Sequence, residues 1–150
     1  MFKIMLALHL LTAIFAIGPL VGAVTTASRG LRKADAGATE SAARTLTIYS
    51  YASVAVVIFG FGLMSAKAPW DKSKHVAEIG DAWILISIAL WAISLGLVLG
   101  LVVPALKKAT TTIREGGAVD ALVGKVAAFG GITGLIYAVI VFLMVYKPGS

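Results

Sequence analysis

Charge falls along this chain in blocks, and the gaps between the blocks predict the fold. Asp, Glu, Lys and Arg are absent from 4–28, 45–66, 82–106 and 126–146. Each gap exceeds the roughly 20 residues a helix needs to cross about 30 Å of hydrocarbon at 1.5 Å per residue. Hydrocarbon offers the backbone no hydrogen-bond partner, so a spanning segment satisfies its own N–H and C=O groups by becoming helical. The pattern predicts an all-α integral membrane protein, a bundle of four transmembrane helices near 3–25, 46–66, 82–104 and 122–146. All 150 residues then form one domain.

Composition removes the soluble alternative. Hydrophobic residues make up 59% and charged ones 13%, with a mean hydropathy of +0.97. A soluble domain carries about 25% charged residues, so most of this surface faces something other than water. The first apolar run begins after Lys3 and ends near Thr25-Thr26-Ala27, which resembles a cleavable leader. It is far longer than the roughly 7–15 apolar residues of a signal peptide, so a retained helix is expected.

The net charge of +6 speaks to lipid headgroups and topology rather than to nucleic acid. Arg29, Arg32, Lys33, Arg44, Lys107, Lys108, Arg114 and Lys125 fall at one end of the spans. Lys3, Lys67, Lys72, Lys74 and Lys147 fall at the other. Eight against five places loops 26–45 and 105–121 in the cytoplasm, with both termini and loop 67–81 outside. That outer loop has no net charge and carries Pro69, Trp70 and His75. It reads as a solvated connector with aromatic anchors, or as a docking surface for an extracytoplasmic partner.

Two internal similarities suggest repeated helical hairpins. Ala7-Leu8-His9 through Gly18 aligns with Ala89-Leu90-Trp91 through Gly100, and Leu63-Met64 with Lys67 aligns with Leu143-Met144 and Lys147. Parallel repeats of this kind are known among membrane proteins. Gly18 and Gly22, Gly96 and Gly100, and Gly130 and Gly134 each place small residues on one helix face. Such spacing lets backbones approach closely, within the bundle or against partner subunits. Pro19 is expected to kink or end regular helix, and Pro104 to mark the exit of the third span.

No catalytic constellation appears. The spans hold no carboxylate, there is no cysteine, and no zinc-protease, nucleophile-elbow or phosphate-loop pattern occurs, so a non-enzyme is expected. The one ionisable side chain well inside a span is His9. Ionisable groups at membrane depth are costly and mark candidate sites. Met5 lies one turn earlier on the same face, while Met64 and Met144 end their helices at the same level. Imidazole and thioether donors suit Cu(I), and a His with a Met can hold haem iron. The plainer reading is a neutral His9 hydrogen-bonded to a neighbouring helix, with methionine filling gaps.

Leu8-His9-Leu10-Leu11 leading to Gly18 and Gly22, the basic loop that follows, Trp91, and Pro104 before a second basic stretch resemble a bacterial family. Its members are small four-helix integral membrane proteins with a domain of unknown function. The resemblance implies the bacterial plasma membrane and no established activity. More distantly, an early His followed by glycines is similar to copper-resistance D-type membrane proteins, which would make His9 a ligand. Trp91 stands where a second intramembrane His would fall in the repeat. The expected function is an accessory or structural subunit of a larger membrane complex, for example a respiratory one, or a homo-oligomer. A copper- or haem-binding protein is the alternative, and a small transporter comes third because the spans lack charged residues.

Overall fold

The computed structural model describes residues 1–149. They form four long helices: α1 (Phe2–Arg32), α2 (Ala36–Met64), α3 (Ala82–Arg114) and α4 (Asp120–Tyr146). All four are long and apolar enough to span a bilayer, so the chain is a multi-pass, all-α membrane protein.

Three helices outrun the charge-free segments that predict them. α1 continues to Arg32, α2 starts at Ala36, and α3 continues to Arg114. The expected loops 26–45 and 105–121 therefore shrink to the short links 33–35 and 115–119. At 31 and 33 residues, α1 and α3 are about 46–50 Å long at 1.5 Å per residue and must project beyond the hydrocarbon. Loss of hydrophobicity marks the membrane boundary, not the helix end. The extensions stay helical because one face remains packed: Ser28, Leu31, Thr39, Ala43, Ala109 and Thr110 are all buried. Asp35 caps α2 by accepting from the Ala38 N–H at 3.0 Å, satisfying an otherwise orphaned donor. Ala34 reverses the chain in the left-handed conformation, at φ 49°.

α1 packs on α2 and α4, and α3 packs on the same two, so α1 and α3 face each other across the diagonal of a square. The core lies toward the basic end, where Leu20, Val24, Leu46, Val102, Leu106 and Val126 are sealed from solvent. At the other end the bundle opens. Phe2–Thr12 buries no residue and packs chiefly on α2.

The burial pattern carries the internal repeat more clearly than the residue identities do. Ala16, Leu20, Val24, Ala27 and Ser28 of α1 are buried, and so are Val98, Val102, Leu106, Ala109 and Thr110, each 82 positions later. Thr39, Leu46, Ser50 and Ser53 are matched by buried Val119, Val126, Gly130 and Thr133, 80 positions later. The contacts of α1 with α4 then correspond to those of α3 with α2.

Neither proline ends its helix. Each follows a π-helical turn, Ala13–Ile17 before Pro19 and Val98–Val102 before Pro104. In α3 the Val103 N–H reaches back five residues to the Val98 carbonyl. A π turn inserts one residue into the hydrogen-bond ladder, and the proline, which lacks an N–H, is accommodated next to that shift. The expected exit of the third span at Pro104 is thus corrected: α3 runs on for ten residues.

Residues 65–81 are a folded cap. The Ala68 N–H donates to the Lys74 carbonyl (2.9 Å) and the Val76 N–H to the Ala66 carbonyl (3.1 Å). His75 is exposed and its Nδ1 bonds the Ser65 carbonyl at 2.9 Å. Ser73 donates to Asp71 through side chain and backbone, which holds that carboxyl below its usual range. The Trp70 ring meets Phe2 edge-on at 6.4 Å, and Lys147 Nζ lies over Trp70 and Trp83 at 5.9 and 5.6 Å. Trp70 of the cap thereby touches the start of α1 and Lys147 just past α4, and Lys147 in turn reaches the start of α3.

Candidate functional site

His9 is turned toward α2. Its Nδ1 lies 2.9 Å from the Val56 carbonyl oxygen. A carbonyl can only accept, so Nδ1 carries the proton and Nε2 is the ring nitrogen left outside this bond. Gly60, one helical turn beyond Val56, makes the approach possible. A Cβ there would sit 3.2 Å from the imidazole Cε1 and 3.4 Å from Nδ1. One turn earlier on α1, Met5 repeats the arrangement, its Sδ only 3.0 Å from where a Cβ on Gly62 would fall. The two helices are keyed together by His9 on Gly60 and Met5 on Gly62.

The four candidate metal ligands are not equally placed. His9 and Met5 share the α1–α2 seam, Met64 is half-buried at the end of α2, and Met144 on α4 is 38% exposed. A cavity of about 630 Å³ opens beside Met5, walled by Met1, Phe2, Gly62, Ser65 and Lys67 among others, and His9, Met64 and Met144 take no part in it. Among the described residues no three His, Cys, Asp or Glu side chains converge to hold a metal ion. Of the four, only His9 and Met5 lie against the same stretch of α2.

Of the six packing glycines, two behave as expected inside the bundle. A Cβ on Gly130 would collide with the Val24 carbonyl, and one on Gly134 would come within 3.0 Å of the Thr25 methyl, so α1 and α4 are at their closest there. Gly18, Gly22, Gly96 and Gly100 are exposed and would meet nothing within 4 Å. As contacts within this chain they are corrected. Buried positions on the same helices are filled by Leu20, Val24, Val98 and Val102, which rotates the glycines outward.

A buried polar cluster went unnoticed in the sequence. Ser50 and Ser53 from α2, Trp91 and Ser94 from α3, and Thr133 and Tyr137 from α4 lie within the bundle. The Trp91 Nε1–H donates to Ser53 Oγ at 3.0 Å, and Ser53 Oγ donates to the Ser50 carbonyl at 2.6 Å. The Tyr137 hydroxyl faces Ser53 and Ser94. Ser50 Oγ has no hydrogen-bond partner. Its signal was present as Ser87, Trp91 and Ser94 at helical spacing on one face. Serine and threonine are so common in membrane helices that the spacing alone did not stand out. Comparison with family models, curated proteins and solved structures finds no match for this chain.

Proposed function

We propose that the protein is a non-catalytic accessory or structural subunit of a bacterial plasma membrane, built to pack α1 and α3 against helices of a larger assembly. The observation that supports this is the outward placement of Gly18, Gly22, Gly96 and Gly100. Lipid tails gain nothing from a glycine, whereas a second helix gains close backbone contact and dispersion. Glycine in a helix also costs about 1 kcal/mol relative to alanine, so four exposed ones need a compensating contact. The charge bias supports links 33–35 and 115–119 in the cytoplasm and the 65–81 cap outside. Extraction in mild detergent followed by mass determination tests the proposal. A reproducible stoichiometric complex is expected, and a lone monomer that still carries its full cellular role would overturn it.

One observation favours a second reading, copper or haem binding at His9. An imidazole that donates Nδ1–H to a backbone carbonyl is oriented as metal-bound histidines are, with Nε2 the nitrogen available to a ligand. Copper, or a visible absorption band, retained through purification and lost in His9→Ala is the expected result. Equal metal content in that variant removes His9 from consideration.

A further inference from the structure

The seam between α2 and α3 opens at the basic end into a cavity of about 420 Å³. Its wall includes Glu40, Arg44, Thr47 and Ile48 from α2, and Lys107 and Arg114 from α3. Three cations meet one carboxylate, and that carboxylate is already engaged, because Arg114 donates to Glu40 across the seam. Arg44 and Lys107 have no ion-pair partner among the described residues. The hydroxyls of Thr47, Thr110 and Thr111, also in the wall, donate back to the Ala43, Leu106 and Lys107 carbonyls. The cations are therefore the donors the cavity offers, and it selects for negative charge.

Depth points the same way. Arg44 is the last charge before the apolar run of α2, and Lys107 is the first after that of α3. Both stand at the boundary between hydrocarbon and headgroups. Just below them Ile48 is 56% exposed to the lipid side. The equivalent seam between α1 and α4 is closed by Gly130 and Gly134. It carries Thr25 and Gly124 where the repeat would place Lys107 and Arg44. The cationic opening is thus built into one half of a near-symmetric fold.

We propose that the α2–α3 seam binds the phosphate of an anionic phospholipid, held by the Arg44 guanidinium and the Lys107 ammonium, with an acyl chain lying over Ile48. The planar guanidinium takes two phosphate oxygens while the ammonium supplies a point charge. A soluble phosphate presents the same oxygens, so the test separates the two. Delipidated protein in detergent is titrated with phosphatidylglycerol, phosphatidylcholine and inorganic phosphate, and bound lipid is counted by native mass spectrometry. Arg44→Gln with Lys107→Gln is expected to weaken phosphatidylglycerol binding by about thirtyfold, roughly fivefold per cation removed. Arg44→Lys with Lys107→Arg should retain it, and Lys72→Gln with Lys74→Gln at the opposite end should leave it unchanged. Equal binding of phosphatidylcholine, or lipid retained by the double Gln variant, would overturn the proposal. Displacement by inorganic phosphate at matched concentration would overturn it in favour of a soluble anion.

Discussion

The Cα of Gly130 lies so close to the carbonyl of Val24 that no side chain fits between α4 and α1. This is where the two hairpins touch most tightly, and at such approaches Cα–H···O contacts add to dispersion. Gly130→Ala is expected to lower the unfolding midpoint in detergent, at a cost of about 1–3 kcal/mol from overpacking. Gly22→Ala, four residues along α1 from Gly18 and facing outward, should be neutral or stabilising by up to ~1 kcal/mol. The opposite signs separate an inner glycine from an outer one, and equal losses would contradict the assigned faces.

His9 and Gly60 form a single device, since a Cβ on residue 60 would crowd the imidazole that reaches the Val56 carbonyl. His9→Ala should destabilise by about 0.6 kcal/mol and by no more than ~1.7, the range for interhelical hydrogen bonds in membranes. Gly60→Val should cost at least as much by displacing the ring. In the double variant the two losses should overlap rather than add, measured as a coupling in a double-mutant thermal unfolding cycle.

Within the polar cluster the two aromatic groups should respond to different degrees. Trp91→Phe removes the donor to Ser53 and leaves that oxygen short of a partner, costing about 1 kcal/mol. Tyr137→Phe removes a hydroxyl that faces the Ser94 and Ser53 hydroxyls without a well-formed bond to either. Its loss should cost less than the loss of the Trp91 donor. Equilibrium unfolding of the two variants side by side reads the order.

Gly18→Leu with Gly100→Leu should abolish co-purification of partner chains while leaving the monomer folded. A Cβ at either position meets nothing within 4 Å, so side chains there leave the bundle outward. A complex that survives the double substitution would remove α1 and α3 as the contact faces.

Orientation can be read by reporter fusions in the links. The α3–α4 link at Gly117 should report a cytoplasmic location and the C-terminus an external one.

Much of this architecture is legible in the sequence because the bilayer imposes it. A run without charge, long enough to cross hydrocarbon, has only one way to satisfy its backbone, so the four spans and their number follow from the placement of charges along the chain. His9 could be singled out for the same reason, as the one ionisable group placed where ionisation is costly. Helix ends were not legible, since 26–32 and 36–45 are polar enough to read as loop yet are held helical by buried Leu31, Thr39 and Ala43. The partner of His9 was equally hidden, because any carbonyl on a neighbouring helix would have served.

Facing is what only the tertiary structure decided. Gly130 and Gly18 look alike as members of paired small residues, yet one is pressed against Val24 and the other looks outward. In water, hydrophobicity would distinguish inside from outside. In a membrane both faces of a helix are apolar, so hydropathy sets depth along the helix axis while packing alone sets rotation about it.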